Sequence, residues 1–253
     1  MKKSFIVLLT ICLFSCAHKK QIVYLKNFKK SSITKIDSYI KNNIEIGDVL
    51  KIDIKTSIPE ASVPYNNLDN IQPNVSTDLL IINGYLVDKD STINYPVLGA
   101  INVVGFSESE LALHIKKLLV DLGHLTNPHV KVRKVNSKFT VLGEVRNPGT
   151  YSYYDNQLNV FQALGIAGDL LITAKRNNIL LLREENGLRK TYNFSLNNSK
   201  LLDMPYYYIR SNDVIIIEPN FAKIKSAGFI GSPSSIASIS SLLLSITLLL
   251  INN

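Results

Sequence analysis

From Ser226 to Asn253 the chain carries no charged side chain, and near its other end the residues from Ser4 to Phe14 are almost wholly apolar. These two runs constrain the molecule more than any other feature, because both point to a membrane and the polypeptide between them then folds on one side of it. The run from Ile236 to Ile251 is helix-length, and including Pro233, Ser234 and Ser235 brings it near the roughly 20 residues that a spanning helix needs. Pro233 suits a helix's first turn, where its missing N–H costs nothing. This predicts a C-terminal transmembrane helix over 227–251. Ser234, Ser238, Ser241 and Ser245 recur at spacings of four, three and four, which puts them on one helical face. Such a stripe serves close helix–helix packing or the wall of a water-filled lumen built from several copies; on a lone anchor the serines are incidental.

The N-terminal run is too short to span a bilayer, and with Lys2 and Lys3 before it reads as a secretory signal peptide over 1–15. Ser15 followed by Cys16 resembles the lipobox of bacterial lipoproteins, in which cleavage exposes the cysteine for acylation. Cys16 is thus the expected lipid attachment site; the alternative is a free thiol in a simple N-terminal anchor. The polar stretch that begins at once after Cys16 favours acylation. Cys12 would leave with the signal, and the remaining cysteine, already acylated, could form no disulfide.

The formal charge of +8 becomes +6 without Lys2 and Lys3, and much of the excess lies between Lys19 and Lys55. Residues 16–42 are expected to be a lipid-anchored tether, either attracted to anionic head groups or peptidoglycan or simply solvated. Nucleic-acid binding is disfavoured, since an exported chain would not meet its target and no basic-aromatic motif accompanies the charge.

The middle of the chain reads as two compact units, 43–136 and 137–222. In "IGDVLKIDI" Leu50, Ile52 and Ile54 alternate with Val49, Lys51 and Asp53, the pattern of a half-buried strand. Residues Ser57 to Asp78 read as a long loop, and several short β runs follow, broken at Asn83-Gly84, Asp88 to Ser91 and Gly99. Ser107 and Glu110 form a capping-box signal for a helix whose stripe is Leu111, Ile115, Leu118, Leu119 and Leu122, with Gly123 as terminator. "NPHVKVRKV" predicts a strand with one wet face. In the second unit "KFTVLGEVRNPGTYSYY" reads as a hairpin closed by a type II turn at Pro148-Gly149. A helix over Asn159 to Ala167 and the strands "NILLLRE" and "DVIIIEP" complete the hairpin, helix and strand order of a β-grasp module.

"IGDVLKIDI", "INYPVLGAINVVGFSESEL", "NPHVKV" and "VLGEVRNPGTY...NVFQALGIAGDL", in that order, resemble the outer-membrane polysaccharide export proteins, across most of the mature chain. The resemblance implies an α+β fold, a mixed-sheet polysaccharide export domain followed by a soluble ligand-binding β-grasp-like domain and the C-terminal transmembrane helix. It also implies a homo-oligomeric ring of lipoproteins in the outer membrane, mainly periplasmic, passing capsular or exopolysaccharide handed on by an inner-membrane polysaccharide copolymerase or chain-length regulator. The sequence departs from the family pattern at three turns. Gly-Pro-Gly-Asp is reduced to Ile46-Gly47-Asp48, Ala-Gly-Gly becomes Ala167-Gly168-Asp169, and a later Gly-Asp becomes Asn212-Asp213.

No catalytic constellation accompanies these motifs. His18, His114, His124 and His129 have no partners at metal-ligand spacing, Glu184 and Glu185 read as a charged turn, and no phosphate loop, nucleophile elbow or dinucleotide fingerprint occurs. No enzyme activity, cofactor or metal is expected. Tyr206, Tyr207 and Tyr208 are candidate saccharide contacts, though aromatic strand residues more often pack in a core. Two functions follow: an export-channel subunit, and a monomeric glycan-binding lipoprotein with two anchors. A periplasmic hydrolase has no supporting residues.

Overall fold

The computed structural model describes residues 22–27, 42–66, 81, 83–155, 157–185, 187–226, 234, 237–242 and 245–246. The expected signal peptide, 1–15, and Cys16 lie outside them.

The first strand, β1 (Val49–Lys55), buries Leu50, Ile52 and Ile54 and turns Lys51 and Asp53 toward solvent, as its alternation predicts. The expected loop after it is more ordered than its composition suggests. A helical turn, α1 (Pro59–Ser62), and a 3-10 turn (Val63–Tyr65) bring Tyr65 into the core, and Asn66 bonds both the N–H and the carbonyl of Ile54. An Asn side chain closing on a strand backbone carries no periodic signal, which is why the pattern missed it.

Short strands β2 (Tyr85–Leu86), β3 (Thr92–Tyr95) and β4 (Gly99–Asn102) follow, the last two as a hairpin. Helix α2 (Glu108–Asp121) starts at the capping box read from the sequence, with Ser107 and Glu110 reciprocally bonded. Leu111, Ile115 and Leu119 are fully buried, whereas Leu122 is 61% exposed, because the helix ends and Gly123 at φ +72° turns the chain away. β5 (His129–Lys134) returns antiparallel to β1, giving a sheet of order β2-β1-β5 with α2 packed on it.

The second sheet has the order β10-β9-β12-β6-β7, built from β6 (Lys138–Gly143), β7 (Gly149–Ser152), β9 (Ala174–Glu185), β10 (Leu188–Phe194) and β12 (Val214–Pro219). Its first and last strands, β6 and β12, lie side by side and parallel. Helix α3 (Val160–Ile166) sits between β8 (Leu158–Asn159) and β9, capped by Asn159 and Gln162, and β8 pairs with β11 (Tyr208–Ile209). Gly149 is the first residue of β7 and does not take the positive φ of a type II turn; Gly143 does, at +94°. The hairpin loop is instead clamped from outside, Arg146 N–H to the Asp169 carbonyl and Asn147 N–H to that of Ala167. Glu184 and Glu185 end a long strand rather than forming a loose turn.

Two hydrophobic clusters result, one from Ile44 to Val132 and one from Phe139 to Ile217. Each contains the same turn. In the first, Gly47 at φ +86° precedes Asp48, whose Oδ2 accepts the Glu45 N–H at 2.8 Å and pairs with Lys134 Nζ at 2.8 Å. In the second, Asn212 at φ +65° precedes Asp213, whose Oδ2 accepts the Arg210 N–H at 2.8 Å and pairs with Arg183 Nη2 at 2.7 Å. A strand, β1 or β12, begins at the next residue. The replacement of Gly by Asn at 212 is accommodated because Asn tolerates left-handed backbone.

The C-terminal transmembrane helix expected over 227–251 is not supported: among the described residues no helix is long and apolar enough to cross a membrane. Physically, the uninterrupted run from Ile236 to Ile251 falls short of the roughly 20 residues required. What precedes that run is a short helix, α4 (Phe221–Ser226), carrying Lys223 and Lys225. The serines are helical and exposed. Ser238, Ser241 and Ser245 donate their hydroxyls to the carbonyls of Ser234, Ser238 and Leu242, three or four residues back along the chain.

Candidate functional site

A cleft of about 570 Å³ runs where α2, β5 and the start of the second unit meet. That volume lies within the range of small-molecule sites. One wall is the N-terminal half of α2, with Ser107, Ser109, Leu113 and Lys116; the floor is β5; the far wall carries Ser137, Tyr154 and Asp155.

β5 is an edge strand. The N–H of Lys134 points away from β1 and donates to Glu108 Oε1 at 2.7 Å. The alternation of an antiparallel ladder then sends the backbone groups of Val132 and Val130 to the same open side, into the cleft. The Lys134 ammonium is buried and satisfied by Asp48 and by the Asn43 carbonyl, so it fixes the floor rather than facing a ligand. Lys131 and Arg133 project from the exposed face of β5, and Lys116 bonds the neutral side chain of Asn127 at 3.1 Å. Among the described residues none of these three cations is in a salt bridge. Tyr154 is 46% exposed at the rim.

Tyr206, Tyr207 and Tyr208 lie elsewhere. Tyr206 stacks on Phe194 at 5.6 Å and lies beside Tyr192 at 4.8 Å, and Tyr207 meets Phe161 and Tyr208 edge-on. Tyr206 and Tyr207 are half-buried against the second cluster, and burial pushes the Tyr207 hydroxyl above its ordinary pKa. Tyr207 and Tyr208 pack on each other, Tyr206 packs on Tyr192 and Phe194, and none of the three lines the cleft. Of the histidines, His129 lines the cleft, His114 stacks on Phe106, and His124 shares a hydrogen bond with the Tyr65 hydroxyl at 3.1 Å.

The cleft itself was not read from the sequence. Its cations are the wet side of a strand and one helical lysine, and only the sheet order shows that they share a groove. A second contact was not legible in the sequence either. Residues 22–27, within the expected tether, dock on the second unit: Leu25 and Lys26 donate N–H to the carbonyls of Leu196 and Asn197. The Tyr24 hydroxyl donates to Asp169 Oδ1, its ring meets Phe161 edge-on, and Arg176 lies 5.7 Å above it. Burial first, and then Asp169, push the Tyr24 hydroxyl up to about 12. The signal was the apolar "IVYL" among lysines.

Residues 40–134 match the polysaccharide biosynthesis/export protein family. The matched stretch coincides with the first hydrophobic cluster. That stretch carries the likeness to the polysaccharide export family. The chain is also similar to the EPS I polysaccharide export outer membrane protein EpsA of Ralstonia solanacearum, at 24% identity over 159 residues, and to that of Ralstonia nicotianae, at 25%. Each alignment covers 61% of this chain and 41% of the relative, so the chain matches about two fifths of the length of these export proteins.

Proposed function

We propose that this chain is a polysaccharide export protein, a subunit of an oligomeric outer-membrane channel that passes capsular or exopolysaccharide out of the periplasm, anchored by a lipid on Cys16. The observation that carries the reading is the coincidence of the family match, residues 40–134, with the hydrophobic cluster that runs from Ile44 to Val132. The lipobox and the names of the similar proteins support the location. The order of the second sheet, with its first and last strands adjacent and parallel and a helix in the connection, supports a β-grasp-like unit over 137–222. A polar polymer needs a water-lined path through about 30 Å of hydrocarbon. Several copies are needed to surround one, and the polymer arrives from an inner-membrane copolymerase or chain-length regulator.

The test is the mass of the full-length lipidated protein in mild detergent, beside the release of polymer by cells lacking the gene. A discrete oligomer, and polymer retained at full chain length, is the expected result. A monomer with saccharide affinity favours the second reading, a glycan-binding lipoprotein, for which the cleft between α2 and Tyr154 is the supporting observation.

A further inference from the structure

Residues 43–136 hold eleven carboxylate side chains against eight Lys and Arg, so the first unit is acidic as a whole. The cleft reverses that balance. Its two carboxylates are Glu108, engaged by the Lys134 N–H, and Asp155, while Lys116, Lys131 and Arg133 have no salt bridge among the described residues. Lys131 and Arg133 stand two residues apart on one strand face, about 6.7 Å from each other along the chain. Beside them the open edge of β5 offers backbone N–H and carbonyl groups, which suit hydroxyls, and Tyr154 offers an exposed ring against which the apolar face of a sugar can lie.

We infer that this cleft binds an acidic polysaccharide, with Lys116, Lys131 and Arg133 facing its anionic substituents and the β5 edge and Tyr154 holding its hydroxyls and ring faces. The inference rests on the export reading and names the chemical class of the cargo. Charge complementarity selects the occupant: a neutral glycan would leave three cations uncompensated, and an exported chain meets no nucleic acid.

The experiment titrates the full lipidated chain in mild detergent with three probes of similar length: an oligomer of hexuronic acid, a neutral glucan oligomer and polyglutamate. The hexuronate should bind, more weakly as salt is raised, and Lys131→Gln/Arg133→Gln should weaken it on the order of tenfold. Arg189→Gln, in a distant surface pair, should leave it unchanged. The melting temperature of the double variant should match the parent, since both side chains are exposed. Polyglutamate binding as tightly as hexuronate would overturn the assignment, leaving a general polyanion surface. Failure of all three probes would also overturn it. Glucan binding equal to hexuronate and indifferent to the double variant would overturn it too, yet leave the export reading standing. That reading fails separately, if cells lacking the gene release polymer normally.

Discussion

Asp48 and Asp213 do the same work in the two halves of the molecule. Each accepts the N–H of the residue three before it, pairs with a cation from a neighbouring strand, and starts a strand, with both partners nearly excluded from water. Removing one member of a buried pair leaves an uncompensated charge, which costs about 3–5 kcal/mol. Asp213→Asn should therefore lower the unfolding free energy by about that amount, more than Asp48→Asn, since Arg183 bonds Asp213 through two nitrogens. Chemical denaturation of the two variants gives the comparison, and equal losses would show that the bidentate geometry adds nothing. Glu185 sets a different residue-scale expectation. Lys190 first, and Arg210 next, hold its carboxyl down at about 2 from an ordinary 4.5. A depressed folded-state value stabilises the fold above the unfolded value, and that contribution is lost as pH falls from about 4.5 toward 2. Melting temperature should drop over this window, and Glu185→Gln should flatten the drop; the effect is modest because the pair is near solvent.

At the level of elements, the close approach of β6 and β12 depends on Gly143. A Cβ there would stand 2.0 Å from the Ile217 carbonyl oxygen, and φ is +94°. Gly143→Ala should destabilise by more than about 2 kcal/mol, through contact and backbone strain together. Gly149→Ala should cost far less, because its Cβ would meet nothing nearer than 3.8 Å, in the Tyr151 ring. The sequence pointed to the opposite glycine. Pro148-Gly149 is the stronger turn signal, but the chain's pivot is fixed by Ile217, 74 residues further along the sequence, which no local pattern encodes. Elsewhere local rules sufficed: the alternation of β1 and the capping box of α2 appear where they were read. β10 was missed because an edge strand exposed along most of its length, "LRKTYNF", lacks the apolar alternation that announces a half-buried one. The cleft was illegible for a related reason. Its walls come from α2, β5 and residues after β7, and nothing but tertiary arrangement makes Lys116 and Arg133 neighbours.

Across the whole molecule, the departure from the family's Ala-Gly-Gly has a structural counterpart. Asp169 takes a left-handed φ of +69°, where glycine would cost nothing, and its carboxylate accepts both the Leu170 N–H and the Tyr24 hydroxyl. Asp169→Gly should relieve the backbone while releasing residues 22–27; hydrogen exchange at the Leu25 and Lys26 amides should rise, with little change in melting temperature. Protection unchanged in that variant would mean that Phe161 and Arg176 hold the segment without the hydrogen bond. With Cys16 acylated as proposed, this clasp also acts as a ruler. Eight residues separate the lipid from Tyr24, and even a fully drawn chain of that length reaches at most about 28 Å. The second unit therefore hangs within one short leash of the bilayer, whatever length the rest of the tether has.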